Sequence, residues 1–340
     1  MEVKKLQLKF DVYFDKLGAD ELVLYRLVPK LTKYVLKVEE RDIDEYLLFL
    51  NELEIGGVDA ESISDMRLKS FFDLLGRYHL LCESRSSFSL DSPYLRQLEM
   101  FESWDTSDKI PEFYQKKLSR ASILVVGAGG LGLPIVNLAV HVGIGTVVVM
   151  DADTIERTNL SRQYLYSPLD IGRYKVEVLA ERLNQYGLGK VVPVCKWATS
   201  DNIQSYLNQY NTDVVTGINV TDSVERMGIL YSVLDYATPV LCVNEHSVGP
   251  YLFVKDDVEK MNIFLNQFEL REQYLGKRRV MKSREMHPSM VTDLSMIGAL
   301  CVDELVRFIS GISKPRLINH AYGMDPVNFI FRPHSLNERW

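Results

Sequence analysis

The fold is decided by an uncharged stretch, Ser122-Ile-Leu-Val-Val-Gly-Ala-Gly-Gly-Leu-Gly-Leu-Pro-Ile-Val-Asn137. Its first residues are aliphatic and mostly β-branched, which is typical of a parallel strand buried on both faces. Gly127, Gly129 and Gly132 then satisfy G-x-G-x-x-G, and Gly130 adds a fourth glycine. Without Cβ atoms, the backbone N–H groups of such a turn can approach a phosphate closely. A helix over residues 131–142 would direct the positive end of its dipole at that phosphate.

A second strand is predicted over residues 146–150, and Asp151 follows it directly. An acidic residue about 20 positions after the glycines can accept hydrogen bonds from ribose hydroxyls. Residues 122–150 contain no charged side chain and are long enough to cross a membrane, but their glycines and proline disfavour so long a helix. On these residues alone, an NAD- or FAD-dependent oxidoreductase is an equal alternative, because it shares the fingerprint.

The segment after Asp151 is polar and follows the carboxyl end of a strand, where open α/β sheets bind ligands. It contains Asn159-Leu-Ser-Arg162-Gln163 and then Gly172-Arg-Tyr-Lys175 at the start of a predicted helix. A lysine in the first turn opposes the helix dipole, so either a bound anion or a solvated side chain explains Lys175. Asp222 precedes another predicted helix, where it fits a Mg²⁺ ligand or a helix N-cap.

The rest of the chain predicts further strand–helix units. Strands are predicted over 191–194, 213–215 and 239–243, and helices over 201–210, 223–236 and 296–309. Returning antiparallel strands are predicted over 251–254 and 327–331. Residues 101–110 are expected to be irregular.

Composition limits the class of protein. With 340 residues, 46% hydrophobic and 25% charged, the chain is an ordinary globular protein of more than one-domain size. Its net charge of −7 argues against broad binding to nucleic acid or anionic membrane. The N-terminus has no apolar signal core, so a cytoplasmic location is expected. No C-x-x-C pair is present, so reduced buried thiols are expected and a structural zinc is not. The four cysteines are Cys82, Cys195, Cys242 and Cys301.

The pattern of apolar and polar residues in residues 1–90 differs from that in residues 91–340. Short β-like runs alternate with amphipathic helical stretches, which predicts a small α+β module ahead of a larger domain. An exposed strand edge in such a module could bind a peptide by β-augmentation. A structural cap on the larger domain is an equally weighted alternative.

Together, these motifs resemble the E1-like adenylating family, which includes the activators of ubiquitin and of sulfur-carrier proteins. The resemblance covers roughly residues 92–250, and the N-L-x-R-Q segment is its most specific part. It implies an α/β fold, with a Rossmann-like adenylation domain on a mixed, mainly parallel sheet. The N-terminal module would be a winged-helix-like peptide clamp.

The resemblance also implies a role for each motif. The glycines at 127, 129, 130 and 132 would receive the phosphates of ATP, and Asp151 the ribose. The residues implied to hold the triphosphate are Asn159, Arg162, Gln163 and Lys175. Asp222 would coordinate Mg²⁺. Arg96 is similar to an arginine that reaches into the partner subunit's site, which implies a homodimer with Arg96, Arg162 and Lys175 as catalytic residues.

Three departures from the family pattern narrow the subfamily, and so the activity, that the resemblance implies. No cysteine after Pro239 is placed to receive an acyl group, the zinc-binding C-x-x-C pairs are missing, and an N-terminal module is added. This layout is similar to the microcin C and pantocin A type. It implies ATP- and Mg²⁺-dependent adenylation of a carboxylate on a ribosomally made precursor peptide, bound partly by the module, followed by dehydration or cyclisation in antibiotic biosynthesis. Activation of a ubiquitin-like sulfur carrier is the alternative within the family.

Overall fold

The computed structural model describes residues 5–28, 30–84, 92–105, 109–218, 224–257, 289–325 and 330–335. The chain divides into two compact units, residues 1–116 and 117–340. Within the described ranges, no helix combines the length and the apolar character that a membrane crossing requires.

The first unit consists of small antiparallel sheets and helices. Its elements are β1 (Lys5–Leu8), β2 (Val12–Lys16), β3 (Glu21–Arg26), β4 (Thr32–Lys37), α1 (Ile43–Ile55), β5 (Val58–Asp59), α2 (Met66–Arg77), β6 (Leu81–Glu83) and α3 (Leu95–Trp104), and the unit boundary falls within α4 (Pro111–Arg120). Two three-stranded sheets have the orders β5-β1-β6 and β2-β3-β4. Leu22 and Leu24 of β3 pack with Leu50 and Leu53 of α1 in a core closed by Leu75 of α2.

The boundary between the two compact units lies after residue 116, and the predicted functional division at residue 90 stays a prediction. Helix α3 belongs to the first unit because its last turn bonds to the strands there. The Phe10 N–H donates to the Glu102 carboxylate at 3.0 Å, and Arg26 donates to the Ser103 carbonyl at 2.5 Å. The function assigned to the N-terminal module stays a prediction.

The second unit is built on one large sheet. Its elements are β7 (Ser122–Val126), α5 (Gly132–His141), β8 (Thr146–Met150), α6 (Lys175–Leu183), β9 (Lys190–Val194), α7 (Ile203–Tyr210), β10 (Val214–Thr216), α8 (Val224–Asp235), β11 (Val240–Asn244), β12 (Ser247–Leu252), α9 (Val291–Ser310), β13 (His320–Asp325) and β14 (Ile330–Ser335). The described strands have the order β14-β13-β12-β11-β10-β7-β8-β9.

The sheet is parallel at one end and antiparallel at the other. Strands β9, β8, β7, β10 and β11 pair in parallel, and β12 to β14 add antiparallel. Parallel strands bury both faces. On one face, Leu124 and Val148 pack with Leu230 of α8. On the other, the Thr216 hydroxyl lies 3.4 Å from the Cys301 sulfur of α9.

The predicted α/β class with a mixed, mainly parallel sheet is confirmed, but some element bounds were wrong. The helix α3 continues to Trp104 through residues expected to be irregular, because Leu98 and Phe101 supply a buried face. The strand expected at 251–254 lies instead at Ser247–Leu252, where a tight turn pairs it with β11. Strand β13 was not predicted, and residues 327–329 lie outside the described residues.

Candidate nucleotide-binding site

The glycine turn lies at the carboxyl end of β7 and leads into α5. Gly127 has φ +97° and donates its N–H to the Met150 carbonyl at 2.8 Å, which ties the turn to the end of β8. A Cβ on Gly132 would lie 1.9 Å from the Gly127 carbonyl oxygen. Only glycine permits this approach, so these two positions give the turn its shape.

Gly129 and Gly130 occupy different surroundings. A Cβ on Gly130 would meet the Cδ1 atom of Leu294, on α9, at 2.6 Å. A Cβ on Gly129 would meet only the Gln163 Nε2 atom, at 3.9 Å. Gly130 therefore permits helix packing, whereas Gly129 keeps a space open beside the start of α5, where a helix N-terminus favours an anion.

Asp151 stabilises the glycine turn through hydrogen bonds to its carboxylate. Its side chain is 5% exposed, and one carboxylate oxygen accepts the Ala128 N–H while the other accepts the Asp153 N–H, both at 2.7 Å. Hydrogen bonds to an ionised acceptor are roughly twice as strong as neutral ones. The predicted role of Asp151 at the ribose stays a prediction, and holding the glycine turn is an additional role that the structure shows.

The N-L-x-R-Q segment folds back on the turn. Asn159 is buried and uses its Oδ1 atom to accept the Glu156 N–H at 2.9 Å, while its carbonyl accepts the N–H of Gln163. Arg162 is half-buried, donates to the Thr158 carbonyl at 2.7 Å, and its Cδ atom lies 3.9 Å from the Cβ position of Gly130. Hydrogen bonds within the segment thus hold its backbone, and the Arg162 side chain lies beside Gly130.

Gln163 carries an unsatisfied polar atom. Its side chain is 2% exposed, and its Oε1 atom has no hydrogen-bond partner among the described residues. Leaving a buried acceptor unpaired costs about 1–3 kcal/mol, and such an atom in a folded protein calls for a ligand or water to satisfy it. Because Nε2 of the same amide faces Gly129, the amide lies beside the open space.

Lys175 begins α6 and is 6% exposed. Its ammonium donates to the Asp153 carboxylate at 2.7 Å, and its backbone N–H donates to the Asp153 carbonyl at 3.0 Å. A buried cation at a helix N-terminus is unfavourable without a negative partner. Asp153 supplies that partner here, which excludes the solvated lysine that the sequence left as an alternative.

Tyr166 was missed by the sequence analysis. Its hydroxyl lies 3.0 Å from the Ala128 carbonyl oxygen and 3.3 Å from that of Lys175, so it connects the glycine turn to the start of α6. Burial, reinforced by the nearby Asp151 charge, raises the pKa of Tyr166 well above its ordinary value, so the hydroxyl stays a donor. In sequence it resembles any apolar core tyrosine, and no local pattern marks it.

The contacts bring most of the predicted site residues into one region. That region contains Gly127, Gly129, Gly130, Gly132, Asp151, Asn159, Arg162, Gln163 and Lys175. Arg96 belongs to the first unit, where it is exposed on α3. Asp222 lies outside the described residues, so its predicted role as a Mg²⁺ ligand stays a prediction. Among the residues that the structure covers, no group of His, Cys, Asp or Glu could hold a metal ion.

Two cysteines follow Pro239, and both are buried. Cys242 of β11 is 3% exposed and Cys301 of α9 is fully buried. Burial raises the pKa of each thiol to about 12. Since the thiolate is the nucleophile, neither cysteine suits acyl transfer at neutral pH.

The region fits a nucleotide triphosphate. It offers an open space beside Gly129, a helix N-terminus, a buried ammonium, a half-buried guanidinium and an unsatisfied buried amide. These features are those expected of a nucleotide-binding α/β domain, with a basic, polar segment after Asp151. The ThiF family model matches residues 94–339, and the chain belongs to that family.

Individual relatives agree with this assignment. The sulfur carrier protein adenylyltransferase of Thermus thermophilus is 37% identical over 124 residues, which are 36% of this chain and 43% of that enzyme. The chain thus matches less than half of that relative's length.

Two solved structures share the fold. PaaA has a TM-score of 0.67 at 22% identity, covering 81% of this chain and 94% of PaaA. Escherichia coli MccB with ATP has a TM-score of 0.72 at 17% identity, covering 98% and 97%. MccB has also been solved with MccA.

Proposed function

We propose that the protein is an ATP- and Mg²⁺-dependent adenylyltransferase that activates a carboxylate on a ribosomally made peptide. The observation that carries this proposal is the buried Lys175 ammonium and the buried Gln163 amide in one region with the open space at Gly129. An oxidoreductase that binds a dinucleotide needs the glycines but not this cationic, polar segment.

The first step transfers AMP to the peptide. A carboxylate oxygen attacks the α-phosphorus of ATP, the bond from that phosphorus to the bridging oxygen breaks, and pyrophosphate leaves. Attacking and attacked groups are both negative, so positive charge must offset their repulsion. Lys175 and Arg162 supply it, and the backbone N–H groups after Gly127 orient the phosphates. Mg²⁺, when bound, would add Lewis-acid charge on the phosphates. A carboxylate is already ionised at neutral pH, so no general base is required.

The second step consumes the acyl-adenylate. A nucleophile within the peptide attacks the acyl carbon, AMP leaves, and one peptide oxygen leaves with it. The net change in the peptide is loss of water. The buried Cys242 and Cys301 argue against an intervening thioester on those residues. Dehydration or cyclisation of the peptide in antibiotic biosynthesis is therefore the proposed outcome.

The N-terminal unit is proposed to bind the peptide. Support comes from the fold shared with MccB, which has been solved with MccA and matches 98% of this chain. Within the described residues, β2 and β4 are the outer strands of their sheet, so each offers an unpaired edge for β-augmentation. We also propose a homodimer in which Arg96 of one protomer acts in its partner's site.

One observation favours a second candidate function. The Thermus thermophilus relative acts on a sulfur carrier protein, and this chain shares its matched region. Both candidates share the adenylation step and differ in what supplies the carboxylate.

The two candidates can be separated by one experiment. The purified chain is incubated with ATP, Mg²⁺ and either candidate precursor peptides or a carrier protein ending in Gly-Gly, while AMP and pyrophosphate are quantified. Peptide-dependent formation of both products in equal amounts supports peptide adenylation. Products formed only with the carrier protein favour the second candidate, and ATP consumption without AMP rules out both. Lys175→Ala and Arg162→Ala are the controls, and each should abolish product formation.

A further inference from the structure

Helix α3 carries Arg96 on its exposed side and ends in a buried turn. Phe101, Glu102 and Ser103 are at most 2% exposed, and Asp105, directly after the helix, is 3% exposed. An α-helix rises about 1.5 Å per residue, so Phe101, Glu102 and Ser103 lie about 8–11 Å along the helix from Arg96. Whatever fixes the turn also fixes the direction in which the helix presents Arg96.

Two cationic side chains of the same unit, Arg26 at the end of β3 and Lys9 in the turn between β1 and β2, bind this turn. The Arg26 guanidinium of β3 donates to the Ser103 carbonyl at 2.5 Å, and the Lys9 ammonium donates to the Asp105 carbonyl. The last carbonyls of a helix have no partner within the helix and carry the negative end of its dipole. Lys9 and Arg26 therefore satisfy them with both hydrogen bonds and charge.

Both cations are buried, at 2% exposure for Lys9 and 9% for Arg26. Burial, and then the neighbouring Arg26 charge, lowers the pKa of Lys9. Asp11 forms an ion pair with Arg26 at 3.4 Å, which offsets the cost of burying the Arg26 charge. The Glu102 carboxylate accepts hydrogen bonds from the Phe10 N–H at 3.0 Å and from the Cys82 thiol at 3.1 Å. Burying so many charges is expensive unless they are paired, and replacing them by apolar residues is often neutral or stabilising. Stability alone therefore explains this cluster poorly.

We propose that Lys9 and Arg26 are positioning residues for Arg96, with the N-terminal module serving as the anchor of the Arg96 helix. This inference rests on the proposed function, in which Arg96 acts in the adenylation step. The bonds join β3 and the turn between β1 and β2 to the C-terminal end of α3, so a ligand that shifts the module shifts Arg96 with it. Lys9 and Arg26 act through α3 and do not touch substrate.

A double-mutant cycle separates positioning from simple stabilisation. In the full chain, Lys9→Met removes one bond to the helix end. The kcat for pyrophosphate formation is expected to fall on the order of 10- to 100-fold, as a small misplacement of a distant group can cause. The KM for ATP should change less than about twofold, because the residues proposed to bind ATP are unaltered. In an Arg96→Ala background, Lys9→Met should cause no further loss.

The matched control is Lys69→Met. Lys69 also donates to a main-chain carbonyl, that of Ala60 at 3.1 Å, but on the surface of the module and away from α3. It should leave kcat unchanged. If Lys9→Met does not fold, as judged by thermal unfolding, Arg26→Lys replaces it, because it keeps the charge and loses the planar fork. A smaller fall in kcat that again vanishes in the Arg96→Ala background is expected.

Two results would overturn the proposal. One is a folded Lys9→Met or Arg26→Lys variant with the wild-type kcat. The other is a loss that multiplies with that of Arg96→Ala, which indicates a general effect of stability. A failure of the proposed function is seen separately, because the wild-type chain would then form neither AMP nor pyrophosphate with any peptide substrate.

Discussion

Lys175 and Asp153 bond to each other twice, through the ammonium and carboxylate at 2.7 Å and through the Lys175 N–H and the Asp153 carbonyl at 3.0 Å. The lysine side chain is 7% exposed, whereas that of Asp153 is 49% exposed. Asp153 therefore compensates a buried charge from a position that solvent and ligands can reach. A triphosphate entering the site would offer Lys175 a second negative partner.

Asp153→Asn tests this relationship. Without the carboxylate, the Lys175 ammonium lacks its counter-charge, and we expect the ligand-free protein to lose about 1 kcal/mol, a value reduced because Asp153 is half-exposed. ATP would replace the missing charge, so the rise in Tm on adding ATP should be larger than in the wild type. Thermal unfolding with and without ATP measures both effects. An unchanged or smaller rise would contradict the placement of phosphate at Lys175.

Gly129→Ala and Gly132→Ala form a matched pair. At Gly132 the new methyl group would overlap the Gly127 carbonyl, and a loss of at least about 2 kcal/mol in unfolding free energy is expected. Gly129 has no positive φ, and a Cβ atom added there would lie 3.9 Å from its nearest neighbour, the Gln163 Nε2 atom. Gly129→Ala should therefore alter the unfolding free energy by less than about 0.5 kcal/mol. Gly129→Ala should still abolish ATP binding, because the new methyl group fills the open space beside the start of α5. Calorimetric titration of a folded Gly129→Ala variant with ATP would refute this if the affinity were unchanged.

Tyr166→Phe should loosen the link between the glycine turn and α6. Losing the hydroxyl removes its hydrogen bond and is expected to cost about 1 kcal/mol of unfolding free energy. If that link holds the turn in its binding shape, the KM for ATP should rise by about fivefold, the equivalent of that energy. Tyr164→Phe, two residues earlier and 45% exposed, is the control and should change neither quantity. A Tyr166→Phe enzyme identical to the wild type in both would show that the link is dispensable.

Thiol reactivity should follow burial. An ordinary cysteine is largely thiolate at pH 9, but Cys242 and Cys301, with pKa values raised to about 12, should remain almost entirely protonated and unreactive there. Cys195 is half-exposed, and its pKa is raised by burial and by Glu177, so it should react slowly. Alkylation of the native protein at pH 9, followed by mass analysis, should label Cys195 first. Rapid labelling of Cys242 or Cys301 would reopen the thioester route.

The proposed dimer predicts complementation between inactive variants. In a heterodimer of Arg96→Ala and Lys175→Ala subunits, one site combines an intact Lys175 with an intact Arg96 from its partner. Random exchange of equal amounts should restore about a quarter of the wild-type rate. No recovery on mixing, with subunit exchange verified, would argue that Arg96 acts within its own chain.

The sequence predicted the parts of the site that depend on local pattern. The strand before Gly127, the helix after Gly132 and the position of Lys175 at the start of α6 follow from apolar runs, glycine spacing and periodicity. It missed contacts that join distant positions. Gly130 is glycine because Leu294 of α9 packs against it, and nothing near Gly130 indicates that residue.

Contacts between distant positions also explain the other differences between the predicted and the observed structure. The role of Asp151 in holding the glycine turn depends on the backbone path at Ala128, which residue types alone do not define. Residues 101–110 were expected to be irregular because Glu102, Ser103 and Asp105 look like surface residues, whereas helix α3 continues to Trp104. Their burial follows from Lys9 and Arg26, which lie far away in sequence and carry charges that would normally indicate solvent exposure.

Isotope transfer from the peptide to AMP tests the central claim most directly. A precursor peptide carrying heavy-isotope oxygen in its carboxylates is incubated with the chain, ATP and Mg²⁺, and the nucleotide products are analysed by mass. Attack on the α-phosphorus predicts AMP that carries one peptide oxygen, together with unlabelled pyrophosphate. Labelled phosphate with ADP, or modified peptide accompanied only by unlabelled AMP, would contradict adenylation of the peptide carboxylate.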